Sequence, residues 1–393
     1  MLRYLTAGES HGRGLVGIIE GLPAGLSLSR EDIDAELRRR QRGYGRGGRM
    51  KIEADRAEIL SGVRWGQTIG SPICLFIENR DWPNWEKAMS AEEADAGSLG
   101  AVTRPRPGHA DLPGALKYAR KDIRDILERS SARETAMRVA LGAVVKKFLR
   151  EFGIGIGSFV TSIGDEGMEL DTKRAFSSED ALLKLSVKAE ASEARCPDRK
   201  ATEKIKSVID DAAKKGNTLG GRFTVFAAGV PPGLGSHTHW DRRLDGVFAQ
   251  ALMSIQAIKA VEIGEGAALA AMPGSAAMDE IYYAKDKGFF RKTNSMGGIE
   301  GGMTNGMPVV ASAVMKPIPT LRKPLHSVDI RSKRPFEAAY ERSDVCAVPA
   351  ASVVAEAMTA LALAGAFLEK MGGDSMEETK KNFDSYLRHL SRF

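Results

Sequence analysis

Apolar positions recur with a period of two near the start of the chain. The runs at Arg3–Ala7 and Leu15–Glu20 therefore predict two strands, with the loop GESHG between them. Ser29-x-x-Asp32 is a variant capping box, and the charged stretch that follows through Arg40 predicts a helix closed at Gly43. IGSPICLFIE, at 69–78, reads as a strand, whereas 81–113 is a polar connection rich in proline and glycine. Connections of that length carry function or order on binding. The clearest helix is predicted over Ser131–Phe152. There Ser131-Ala-Arg-Glu134 forms a capping box, apolar residues follow at helical spacing, and Gly153 closes the element. After a strand-like stretch comes a charged segment, 178–215, expected to be helical and peripheral to a single domain spanning 1–393. Residues 222–230 and Val309–Met315 predict strands, Asp241–Ala260 a helix, and Pro349–Lys370 a long, Ala-rich apolar helix.

Several neighbouring strands are separated by short loops, which permit antiparallel pairing, whereas a parallel crossover needs a dozen or more residues. The expected class is α+β, with antiparallel or mixed sheets packed on long helices and no doubly wound parallel sheet. Two helices too apolar to own a solvated face predict a layer buried on both sides, or an oligomer interface.

Composition narrows this little. A chain of 393 residues, 43% hydrophobic and 27% charged, suits one large globular domain or two ordinary ones. Its 42 glycines cluster in short loops, which argues for tight turns or for backbone brought close to a ligand. A net charge of +6, from 57 Lys+Arg against 51 Asp+Glu, does not build the general field of a nucleic-acid coat. Three scattered cysteines argue against a disulfide framework or a zinc site and fit a reducing cytoplasm. A strand-like opening predicts no signal peptide, and the apolar stretch around Val353–Leu368 contains Glu356, so a buried helix is expected there and no membrane span.

Six clusters are candidates for chemistry. RRRQRGYGRGGR, at 38–49, suits either a wrap around single-stranded nucleic acid or an arginine clamp for phosphate and carboxylate. GESHG offers His11 in a tight loop, beside Ser10 but with no acidic orienter evident in the sequence. RPRPGHAD, at 104–111, sets His109 among arginines on a stiff backbone, and Asp111 there also suits a plain helix cap. ERSSARE, at 128–134, combines hydroxyls at a helix start with two arginines, and a cation in a first turn is unfavourable unless an anion is present. The glycine cluster 297–306, followed by Lys316-Pro-Ile-Pro-Thr320, suits either backbone laid flat on a ring or phosphate or a surface loop. RSD, at 342–344, precedes the apolar helix as a cap or as a base. Two histidines at 237 and 239 lack further ligands, so no metal is expected.

Taken in order, GESHG, RGGR, RPGHAD, RSSARET, GGIEGGMTNG, KPIPT and RSDVCAVPA resemble the chorismate synthase family over roughly residues 1–370. The resemblance implies a β-α-β sandwich, two antiparallel sheets enclosing long helices, in a homotetramer. It implies the loss of phosphate from 5-enolpyruvylshikimate 3-phosphate to give chorismate, dependent on reduced FMN without net redox change. His11 would protonate or hydrogen-bond the reduced flavin, His109 would serve the departing phosphate as acid, and Asp344 would hydrogen-bond near the flavin N5. Arg40, Arg46, Arg49, Arg106, Arg133 and Arg342 would bind substrate or flavin anions. Arg129, Ser130 and Ser131 would line the FMN site with Gln256, Ala257, Gly301, Arg342 and the run Lys316, Pro317, Ile318, Pro319 and Thr320. NADPH is a possible source of reducing equivalents, as is a separate flavin reductase. No nucleic-acid or membrane partner is expected. A flavin-dependent oxidoreductase and an Arg-Gly RNA-binding protein are the competing readings.

Overall fold

The computed structural model describes residues 1–46, 54–339 and 344–393. Its first sheet holds β1 (Arg3–Ala7), β2 (Gly14–Glu20), β3 (Ala57–Ser61) and β4 (Ile73–Glu78), in the order β1-β2-β4-β3. The second holds β5 (Gly155–Ile163), β6 (Gly221–Ala228), β7 (Ile258–Ile263) and β8 (Val309–Met315), in the order β7-β8-β6-β5, with the short strand Glu166–Gly167 beyond β5. Every neighbouring pair in the two sheets is antiparallel. The class is therefore α+β, as the short strand connections imply.

The principal helices are α1 (Arg30–Gln41), α2 (Arg124–Ser130), α3 (Thr135–Arg150), α4 (Glu179–Glu190), α5 (Arg199–Lys214), α6 (Leu244–Met253), α7 (Val348–Met371) and α8 (Met376–Leu390). Helix α3 packs on β2 and β4 on one side and on α7 on the other, and α7 in turn packs on β5 and β6. Alternation explains the contact. Leu15, Gly17 and Ile19 on β2, with Ile73, Leu75 and Ile77 on β4, are buried, while their neighbours are more exposed. Helix α7 is long and apolar enough to cross a membrane, but it is mostly buried in the fold, between α3 and the second sheet.

Several sequence expectations change. The Ser29–Asp32 capping box forms in both directions. The Ser131–Glu134 box does not. Ser131 accepts from Arg133 N instead, a short 3-10 turn precedes α3, and the Glu134 carboxylate is drawn to Thr6, Arg138 and Gln256. The helix expected over Asp241–Ala260 stops at Met253, because Ile258–Ile263 is taken into the second sheet as a strand against β8. The segment 178–215 forms α4 and α5, and it gives Ala194, Cys196, Ala201, Ile205 and Ile209 to the main core.

Candidate active site

The GESHG loop is pinned from α2. Ser10 donates its backbone N–H to the Glu128 carbonyl at 3.0 Å, and His11 donates its own to Glu128 Oε2 at 2.8 Å. The His11 ring sets Nδ1 2.9 Å from Glu128 Oε1 and 3.0 Å from Oε2. An ionised carboxylate only accepts, so we assign the ring hydrogen to Nδ1. Trp85 stacks on the ring with centroids 4.0 Å apart. Arg124 lies over the Trp85 indole at 5.0 Å and donates to Glu128 Oε1 at 3.2 Å. Burial alone would raise the pKa of Glu128; bonding and charge from His11, with the charge of Arg124, outweigh it and hold the carboxyl below its ordinary value.

The second histidine repeats the arrangement. His109 Nδ1 lies 2.5 Å from Asp111 Oδ1. Arg106 grips the same carboxylate in a fork, Nε to Oδ2 at 2.8 Å and Nη2 to Oδ1 at 3.0 Å, and its backbone N–H adds a third bond at 3.0 Å. Burial opposes ionisation of Asp111, but the bond from His109 and the bond and charge of Arg106 hold its carboxyl well below the usual range. With Nδ1 donating to Asp111, the 3.1 Å approach of Arg106 Nη2 to that nitrogen is a side contact and no second hydrogen bond. Asp111 is thus a buried acceptor and not the N-cap of the helix it begins, a position held by Ala110.

Buried arginines complete the surroundings. Arg133 donates to Asp55 Oδ1 at 2.6 Å and to Asn79 Oδ1 at 3.0 Å. The anion that a first-turn arginine requires is therefore present within the chain. Arg40 approaches the other oxygen of Asp55 at 3.6 Å and bonds Thr135 Oγ1 and the Ala132 carbonyl, each at 3.0 Å. Arg46 pairs with Asp344 at 3.0 Å, and Val345 N bonds the Gly45 carbonyl, so Gly45 and Arg46 meet Asp344 and Val345. Arg39 is no ordinary surface residue. It pairs with Glu36, Glu190 and the fully buried Glu356, whereas Arg38 is exposed.

Hydrogen bonds connect most of the remaining positions. Ser131 Oγ meets Ser10 Oγ at 3.2 Å, and Ser130 follows Arg129, which bonds Thr6 and the Gly8 carbonyl. Arg129 and Gln256 line one cavity with Thr6 and Glu134. Gln256 bonds Glu134 through Nε2 at 3.1 Å, while its Oε1 is buried with no hydrogen-bond partner among the described residues. Ala257 O accepts from Lys316 N at 2.9 Å, Lys316 Nζ reaches the Gly108 carbonyl at 3.0 Å, and Thr320 Oγ1 accepts from Arg106 at 3.1 Å. Pro317, Ile318 and Pro319 run between them, and Ile318 O accepts from Thr218 at 2.7 Å. Gly301 stands apart. It lies at the tip of a small hairpin, and among the described residues no hydrogen bond links it to these groups. Arg49 and Arg342 lie outside the described residues. The sequence reading missed Glu128, Asp55, Asn79 and Trp85. Glu128 stands within a motif already singled out, but its target is 117 positions away.

A family model described as chorismate synthase matches residues 2–368. The chain belongs to the chorismate synthase family. It is 61% identical over 393 residues to the chorismate synthase of Aquifex aeolicus, with 100% of this chain and 99% of that one covered. It is 57% identical over 400 residues to that of Geobacter sulfurreducens, with both chains covered in full. A solved structure described as Crystal Structure of Chorismate Synthase superposes with a TM-score of 0.83 at 52% identity, covering 100% of this chain and 99% of that one. Members of the chorismate synthase family are lyases, and this chain is one of them.

Proposed function

We propose that the chain catalyses the anti-1,4-elimination of phosphate from 5-enolpyruvylshikimate 3-phosphate to give chorismate, the final step of the shikimate pathway to the aromatic amino acids. The C–O bond to phosphate breaks and C6 of the substrate loses a proton. The observation that carries this reading is that two histidines are each held by a buried carboxylate, with buried arginines paired within the same set of motifs. A substrate with a phosphate and two carboxylates needs fixed cations, and charge held in place before the bond breaks favours the departing phosphate. His109, beside Arg106, is suited to hand a proton to that phosphate, and His11 is suited to a proton or hydrogen bond toward the cofactor. Asp344 is assigned to the flavin edge, and Arg40, Arg46, Arg49, Arg106, Arg133 and Arg342 to the anions.

Reduced FMN, when bound, supplies reducing chemistry that is returned within the turnover. The residues fit it. Gln256 lines a cavity with Arg129, its carbonyl oxygen is buried without a hydrogen-bond partner among the described residues, and Lys316 adjoins Ala257. Arg129, Ser130, Ser131, Gln256, Ala257, Gly301, Arg342 and Lys316–Thr320 would hold it. NADPH or a separate reductase would keep it reduced. The packing of α3 and α7 between the two sheets supports a β-α-β sandwich, and the single main core supports one domain over 1–393. A homotetramer is supported by the outer face of the first sheet, where Leu5 and Ile18 are paired, apolar and exposed. We assign the enzyme to the cytoplasm.

The deciding assay is anaerobic, with reduced FMN and the enolpyruvyl substrate. Chorismate and phosphate should appear in equal amounts with no net NADPH oxidation. Consumption of a reducing equivalent in each turnover would instead support the oxidoreductase reading, and RNA binding without FMN binding would support the Arg-Gly reading. His11→Ala and His109→Ala should each lower turnover by about 10²-fold or more; wild-type rates in both would remove their acid–base roles.

A further inference from the structure

His11 and His109 come from different loops, yet each meets the protein in the same way. Each ring offers Nδ1 to a carboxylate that is almost completely buried, Glu128 and Asp111 respectively. Each carboxylate also receives an arginine, Arg124 on Glu128 and Arg106 on Asp111. The side chains of Glu128 and Asp111 are 2% and 1% exposed, whereas those of His11 and His109 are 13% and 16% exposed, so the rings stand in front of their acceptors. An imidazole whose Nδ1 donates to a fixed carboxylate is held in one tautomer and one orientation, so a proton that the ring exchanges passes through Nε2. The arginine keeps the carboxylate an acceptor, so it orients the ring without taking its proton. Trp85, stacked on His11, removes the remaining freedom of ring rotation on that side.

We propose that Glu128 and Asp111 are positioning residues that fix both histidines as Nδ1–H tautomers and so make Nε2 the proton-handling atom of each. The inference rests on the acid–base roles given above to His11 and His109. It adds a residue, Glu128, that acts through another group and that no motif spacing indicates. It also gives Asp111 a purpose beyond its local turn.

The test combines kinetics with 15N spectra of the full enzyme labelled at histidine, in which His11→Ala and His109→Ala assign the resonances among the six histidines. In the wild type both rings should keep Nδ1 protonated, whether or not Nε2 also carries a proton. Glu128→Ala should release the His11 tautomer and lower kcat by at least about 10-fold, with KM for the substrate changed far less. Glu128→Gln retains an acceptor oxygen and should fall between the two. Asp111→Leu, which approximates its shape without an acceptor oxygen, should do to His109 what Glu128→Ala does to His11 and provides the result if Glu128→Ala fails to fold. An unchanged Nδ1–H tautomer in Glu128→Ala or Asp111→Leu would overturn the proposal, even if turnover fell, because the loss would then be structural. Wild-type turnover in those variants would overturn it as well. Wild-type turnover in His11→Ala or His109→Ala would instead remove the acid–base reading on which it depends.

Discussion

Cys346 is fully buried, and the Asp344 carboxylate stands two residues before it. Burial first, and then the charge of Asp344, push its thiol from an ordinary 9.0 up to about 12. The thiolate is the reactive form, so Cys346 in the native enzyme should resist alkylation at pH 8.5, with labelling measured by mass spectrometry before and after unfolding. Rapid native labelling would mean that this turn opens readily. The sign for stability follows from the raised pKa. The folded state holds the proton longer, so the contribution of Cys346 is complete below about pH 9 and is lost as pH rises toward 12. The candidate site residues divide by how far their partners lie along the chain. His11, His109 and most of the arginines could be named from their motifs, because Gly, Pro and Arg in short strings restrict the backbone and the charge locally. Glu128 and Asp55 could not, since each acts on a residue brought to it by folding.

At the scale of elements, α3 and α7 come close together at Gly142. A Cβ there would lie 2.3 Å from the Ala357 Cβ and 2.6 Å from its Cα, and backbone cannot yield as a flexible side chain would. Gly142→Ala should therefore destabilise the fold. Overpacking costs about 1–3 kcal/mol, against which the better helix propensity of alanine returns at most about 1 kcal/mol. Gly365, on α7 itself, has open space around its missing Cβ, so in urea titrations of both variants Gly365→Ala should be neutral or stabilising. Equal effects at the two sites would show that α3 and α7 are not held this closely. Element types were legible wherever the local signal was uncontested, as in the Ser29–Asp32 cap. They failed where a distant partner claimed the residue: Glu134 left its cap for Thr6 and Gln256, and Ile258–Ile263 pairs with β8 instead of extending a helix.

Across the whole molecule, Glu356 joins the layers. It lies fully buried on α7 and meets Lys146 from α3 at 2.7 Å, Arg39 from α1 at 2.7 Å, Arg195 from the segment between α4 and α5 at 3.3 Å, and Ser158 from β5 at 2.7 Å. Burial would raise its pKa, but the charges of Lys146, Arg39 and Arg195 hold the carboxyl well below the ordinary range. Glu356→Gln should cost about 3–5 kcal/mol at pH 7, because it leaves buried cations short of a counter-charge. For a depressed carboxyl pKa the stabilisation is present above the ordinary glutamate value and is lost as pH falls through the folded one. The gap between wild type and variant in urea midpoint should accordingly narrow below about pH 4.5. A gap that stays constant into acid would show that Glu356 acts by packing alone.

By itself the sequence determined the α+β class, the positions of most strands, the long buried helix and the strings that carry histidine and arginine. These depend on periodicity, turn residues and local charge, which act over a few positions. Only the tertiary structure decided which carboxylate answers each of those charges: Glu128 for His11, Asp55 for Arg133 and Arg40, and Glu356 for Arg39. The physical reason is desolvation. A buried charge must find its partner wherever the fold supplies one, and here most of those partners lie dozens to hundreds of residues away.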